Sequence, residues 1–170
     1  MKKLSTSLIT DVTEDTINII FNMQSYFKEK LRYTRQEIIQ NLNSEQNIGI
    51  FLEDNHVVVG YVFAVPHDLA LKEFQLDDPL VKEDSSRYYI DQVSVLPEAR
   101  KGLAFLHLGY SLFDELGKRG MNKVSSHLST TNGVHKIIGR SFGHMYTTSR
   151  HVHMACWDDI FEYIEVTYIK

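Results

Sequence analysis

Cysteine is nearly missing from this chain: Cys156 stands alone, so no internal disulfide can form, and a reducing cytoplasm suits the sequence. Three prolines and nine glycines among 170 residues make no Pro-, Gly- or Ser-rich linker, and a chain of this length ordinarily forms one domain around one core. An apolar run long enough for export or for crossing a membrane is absent at Met1-Lys2-Lys3-Leu4-Ser5. A basic excess is absent too. Eighteen Lys and Arg face 22 Asp and Glu, a formal charge of −4, so there is no broad positive field for a nucleic acid or an anionic membrane. No repeat and no low-complexity tract appears.

What the chain does have is a strand feeding a helix. Tyr88 to Leu96 reads as a buried strand stopped by Pro97, followed by the short basic turn Arg100-Lys101-Gly102 and an amphipathic helix up to Gly117 and Gly120. Leu103, Leu106, Tyr110 and Phe113 recur at three- and four-residue steps in that helix, flanked by Leu108 and Leu112, and predict its buried side. Such a turn aims the helix's first unpaired amides at one point, where phosphate binds.

Around this pair the other elements follow in order. Leu4 to Val12 predicts a first strand, and Thr13 caps a helix with Glu14 and Asp15 in its first turn and Ile17, Ile20, Phe21 and Phe27 as its buried stripe. Arg35 to Leu42 is a second helix with Ile38, Ile39 and Leu42 inward. Asn47 to Leu52 and Val57 to Val65 form a hairpin around Glu53-Asp54-Asn55-His56. His67 to Arg87 reads as irregular. Its acidic part, Asp77 to Asp84, reads as a solvated loop, with attraction of a cationic acceptor as the other reading. Lys123 to Thr130 is a strand, Asn132-Gly133 opens a helix through Val134, Ile137, Ile138 and Phe142, and Met145 to Cys156 and Ile160 to Ile169 alternate as two final strands.

The run Val93-Ser94-Val95-Leu96-Pro97-Glu98-Ala99-Arg100-Lys101-Gly102-Leu103-Ala104 resembles motif A of the GNAT N-acetyltransferase superfamily, and the contracted form Pro-Glu-x-Arg-Lys-Gly-Leu is similar to divergent members encoded by bacteriophages. The order strand, helix, helix, hairpin, strand, helix, strand, helix, strand, strand resembles that superfamily along nearly the whole chain. The resemblance implies a mixed, twisted α/β sheet with helices on both faces, and acetyl-CoA as co-substrate. Its pyrophosphate would lie on the amides of Arg100, Lys101, Gly102, Leu103 and Ala104, and its pantetheine along the strand of Val93 and Val95. Two departures stand out. Ala99 occupies the place of the usual Gln or Arg, the arginine following as Arg100. Asn132 matches the motif B asparagine, but Gly139 stands seven residues on, where the family has a tyrosine.

Amide-forming acetyl transfer needs a base for the ammonium proton and a donor for the departing thiolate. Period two puts Tyr89, Asp91, Val93 and Val95 on one strand face. By the resemblance Asp91 or Tyr89 would be the base, Asp91 otherwise being a salt-bridged carboxylate near a strand start. Tyr146 is the candidate donor in place of the missing tyrosine, or else a packed core residue. His151 and His153 share a strand face with His144 and His127 near, which gives no third ligand and predicts no metal site. Cys156 is expected to be packed in the sheet and unreactive.

The sequence therefore predicts a cytoplasmic N-acetyltransferase, host-cytoplasmic if phage-encoded, that acts on a small-molecule or protein amine and leaves room for a homodimer. The alternative is a catalytically degenerate GNAT-fold binding protein, viral in origin, acting on a host factor. No nucleic-acid or membrane partner is expected.

Overall fold

The computed structural model describes residues 4–100, 103–131 and 133–169. Among them the elements run β1 (Leu4–Leu8), α1 (Glu14–Met23), α2 (Arg35–Asn43), β2 (Ile48–Asp54), β3 (Val57–Pro66), α3 (His67–Phe74), β4 (Arg87–Val95), α4 (Ala104–Lys118), β5 (Lys123–Ser129), α5 (Val134–Phe142), β6 (Tyr146–Met154) and β7 (Asp159–Thr167). The fold is mixed α/β, with strand order β1-β2-β3-β4-β5-β7-β6. The chain forms two compact units, Met1–Ala64 with Gln92–Leu112 and Val65–Asp91 with Phe113–Lys170, so β4 and α4 each contribute to both.

In the first unit β1, β2 and β3 pair antiparallel, Leu4 opposite Asp54 and Ile48 opposite Ala64. α1 and α2 lay Ile17, Ile20, Met23 and Ile38 against Tyr61 and Phe63. Full burial of Ile20 or Ile38 stabilises by about 1.5–3 kcal/mol each. Thr13 caps α1 through its Oγ1, which accepts from the Thr16 amide, and Thr34 with Glu37 forms a capping box on α2. β1 ends at Leu8 rather than Val12. The α1 stripe is turned from the expected one, because the helix stops at Met23, which is buried, while Phe21 is exposed and Phe27 lies beyond the helix. At Gly60 β3 comes close to the end of β4: a Cβ there would stand 2.9 Å from the Ser94 carbonyl oxygen, and the Leu96 amide donates to Val59 O at 2.8 Å.

In the second unit β4 begins parallel to β5, with Arg87, Tyr88 and Tyr89 opposite Lys123, Val124 and Ser125. β5 and β6 each pair antiparallel with β7. α3 corrects the expectation of an irregular segment. His67, Ala70, Leu71 and Phe74 are buried at helical spacing, a pattern that the charged residues between them hid. α4 buries only part of the expected side: Phe113 is inside, with the flanking Leu108 and Leu112. Ala104, Phe105, Leu108, Leu112 and Leu116 are buried while Leu103 and Tyr110 are exposed, and Gly120, at φ +73°, lies just past its end.

Candidate active site

In the first unit β4 brings Val93, half-buried, and Val95, buried, to a single 3-10 turn at Pro97–Ala99. Arg100 then folds back. Its Nε donates to the Val95 carbonyl at 2.8 Å and its guanidinium lies 5.8 Å from the Tyr26 ring centroid. Its two terminal nitrogens have no partner among the described residues. Leu103 is exposed and Ala104 starts α4. A guanidinium fixed at one nitrogen and open at two suits a diphosphate, as do the first amides of the fifteen-residue helix α4. Lys101 and Gly102 lie outside the described residues, as does Asn132.

In the second unit Asp91 is half-buried on β4, and its carboxyl has no hydrogen-bond or ion-pair partner among the described residues. Burial lifts its pKa to about 6. A carboxylate in that range can hold and release a proton near neutrality.

Tyr89, the other candidate base, is placed otherwise. It is buried against Phe74, and its hydroxyl meets His127 Nδ1 at 3.0 Å. Burial raises its pKa well above the ordinary tyrosine value, so it gives up its proton less readily than a free phenol. The network continues. His127 Nε2 lies 3.0 Å from Asp78 Oδ2, and Arg150 binds both Asp78 oxygens at 2.7 Å while stacking 4.8 Å from the Tyr163 ring centroid. Burial pushes the Asp78 pKa up, but the Arg150 and His127 bonds outweigh it and keep the pKa below the usual carboxylate value. Asp78 is therefore an ionised acceptor, so His127 Nε2 carries the ring proton and Nδ1 accepts from Tyr89. Burial, partly offset by Asp78, brings the His127 pKa down to about 4 and keeps the ring neutral. The expected solvated loop is thus a tether, since Asp78, read as a surface charge, is 1 % exposed.

Tyr146 is set by a bulge. Thr148 faces Glu165 but Tyr146 faces Val166, one residue more on β6 than on β7. Simple alternation from Arg150 and Thr148 would put Tyr146 on their face; the bulge turns it onto that of Val166, Ile164 and Glu162. There its Oη lies 3.9 Å from where a Cβ on Gly139 of α5 would be, enclosed and without a partner among the described residues. Burial, with some help from Glu162, lifts its pKa to about 12.

Cys156 is exposed in the turn between β6 and β7, not packed in the sheet. Burial of the sulfur and its hydrogen bond to Asp77 push the thiol up to about 12, which leaves it a poor nucleophile. His151, His153 and His144 are exposed while His127 is buried and committed to Tyr89 and Asp78. Among the described residues no His, Cys, Asp and Glu group could hold a metal ion, and no helix is long and apolar enough to cross a membrane.

No family model and no curated protein matches the chain. Solved structures do. Ard1 from Thermoplasma volcanium superposes with a TM-score of 0.71 at 11% identity, covering 98% of this chain and 99% of its own. An aminoglycoside 6'-N-acetyltransferase complexed with coenzyme A gives 0.69 at 13%, over 98% of both chains. A protein from Desulfovibrio desulfuricans assigned to the GNAT family of acetyltransferases gives 0.67 at 9%, over 97% of this chain and 99% of the other. The chain has the GNAT fold. The sequence reading named Asp91 and Tyr146 as candidates, and it did not name the Asp78–His127–Arg150 network or His135 of α5. Nothing in local spacing joins Asp78 to Arg150, 72 residues away, whereas His135 and Gly139 do share a helix face by their four-residue step.

Proposed function

We propose that the whole chain is one N-acetyltransferase domain that moves an acetyl group from acetyl-CoA to a primary amine. The observation that carries this is Asp91, a half-buried carboxyl without a partner among the described residues and with its pKa lifted to about 6. A scaffold carboxylate would be paired; this one is left ready to take a proton. The shared fold, with coenzyme A bound in one of its relatives, supports the choice of acyl donor.

In this reading Arg100 gives its terminal nitrogens to the diphosphate, helped by the amides that open α4, and the β4 backbone at Val93 and Val95 guides the pantetheine arm. Asp91 accepts the proton that the ammonium must lose before its nitrogen can attack. Tyr146 holds a hydroxyl hydrogen for the departing sulfur. A lowered Asp91 would be the weaker base at neutral pH, and an ordinary partner for the Tyr146 hydroxyl would hold back its hydrogen.

Acetyl-CoA at a hundred times its dissociation constant is expected to stabilise the protein by about 2.7 kcal/mol. Asp91→Asn is expected to keep that shift while turnover falls roughly a hundred- to ten-thousandfold, mainly in kcat. A flat melting curve up to millimolar acetyl-CoA sinks the reading. The second reading, a binding protein on the same fold, draws on Gly139, which gives α5 no side chain of its own at that position. Binding of acetyl-CoA with no thiol released across a broad amine panel would favour it.

A further inference from the structure

Two enclosed polar atoms near α5 have no partner among the described residues: Tyr146 Oη and His135 Nδ1. Tyr146 comes from β6 and His135 from α5, and Gly139 is the position that relates them. His135 and Gly139 are four residues apart on one face, where Cβ positions stand about 5–6 Å from each other, and Tyr146 Oη lies 3.9 Å from the Cβ position of residue 139. Gly139 therefore leaves a space into which Tyr146 reaches from the sheet and beside which His135 stands.

Leaving a buried donor or acceptor unpaired costs stability, and two such costs at one spot call for an occupant. Chance packing is a weak explanation for Tyr146, because a bulge is needed to aim it there. The Tyr146 hydroxyl has one hydrogen to give, so its complement is an acceptor. Under the acyl-transfer reading, on which this inference rests, the group that becomes an acceptor during reaction is the sulfur leaving the acyl carbon. A tyrosine that gives up a proton in an enclosed place must then regain it. An imidazole is suited to that, since one ring nitrogen can give a proton while the other takes one. His135 Nδ1 is enclosed; Nε2 is not among the enclosed unpaired atoms.

We propose that Tyr146 and His135 form a proton-delivery pair. The C–S bond breaks with its electron pair going to sulfur, and sulfur takes the Tyr146 hydroxyl proton. The amine nitrogen bonds to the acyl carbon, and the proton it sheds leaves through Asp91. His135 restores Tyr146 from Nδ1 across the space beside Gly139, and Nε2 recovers a proton from solvent. Counted from the ammonium, two protons leave the nitrogen through Asp91 and one enters through His135, so each turnover releases one proton to solvent and returns the enzyme to its starting state. Tyr146 touches the reacting sulfur, whereas His135 acts through Tyr146.

The test uses the whole protein labelled with nitrogen-15 in its histidines, with His135→Asn identifying the His135 ring signals. Saturation with coenzyme A, which carries the free thiol, is expected to shift those signals, and dethio-coenzyme A, which lacks the sulfur, is expected to leave them in place. In Tyr146→Phe, with coenzyme A binding verified by melting, the shift is expected to vanish. An equal shift in Tyr146→Phe, an equal shift with dethio-coenzyme A, or no shift in parent protein that binds coenzyme A overturns the pair while leaving acyl transfer standing. Parent protein that binds no coenzyme A overturns acyl transfer itself, and the pair with it.

Discussion

Each unit has a buried polar cluster touching β4, and the two are built from opposite chemistry. In the first unit the cluster is neutral. Tyr61 Oη donates to Gln92 Oε1 at 2.8 Å, and Gln92 Nε2 donates to Leu31 O at 2.8 Å and to Gln24 Oε1 at 3.2 Å. Gln24 also binds both backbone groups of Tyr33, an uncharged tie within the segment between α1 and α2. In the second unit Tyr89, His127, Asp78 and Arg150 form a chain that ends in an ion pair. Amides keep their hydrogen bonds at any pH, whereas an ionised chain depends on each member's protonation. One strand is therefore supported by a pH-indifferent cluster where it leads into the turn and a pH-dependent one where it carries Asp91.

The harshest way to break this contrast is Asp78→Ala. It leaves Arg150 and His127 without their buried acceptor and is expected to destabilise by about 3 kcal/mol or more. Gln92→Leu in the neutral cluster orphans Tyr61 Oη and the Leu31 carbonyl and is expected to cost about 1–3 kcal/mol. Urea unfolding of the two variants ranks them, and a larger loss in Gln92→Leu would invert the comparison.

A gentler probe is pH. The folded pKa of His127 is depressed from 6.5 to about 4, so between those values the unfolded chain binds more protons. Its contribution is present above pH 6.5 and lost as pH falls toward 4. Asp91 has the opposite sign. Its folded pKa is raised from 3.8 to about 6, so its contribution is present below 3.8 and lost as pH rises through 6. Asp91→Asn is therefore expected to melt higher than the parent at pH 8 and to lose that advantage below pH 4. His127→Gln is expected to flatten the acid side of the parent's stability curve, while Gln92→Leu shifts the curve down without changing its slope. Melting temperatures from about pH 3 to 8 on the three variants check all of this.

Element order was readable in the sequence because alternation and helical recurrence are local and survive in a single chain. Faces were less so. Phe21 and Tyr110 were expected inside on helical recurrence, but both are exposed, while Met23 and Leu116, which the expected stripes left out, are buried. α3 was hidden because Asp68, Lys72 and Glu73 break up a short apolar stripe. The candidate base Asp91 was legible because its place on β4 follows from period two. Its lack of a partner was not, since that depends on what the rest of the fold withholds. Asp78 looked like a solvated charge because the guanidinium that neutralises it comes from β6, far along the chain.

The bulge at the start of β6 has a consequence for heredity. Thr147 is the surplus residue, so a lineage that lost its codon would still pair Tyr146 with Val166 and keep it turned toward α5. A lineage that gained a residue there would send Tyr146 to the face of Arg150, although every side chain around Gly139 stayed the same. The reach of that hydroxyl is thus inherited as a strand length as much as a tyrosine, and an alignment of relatives that ignores gaps at 147 would compare the wrong residue.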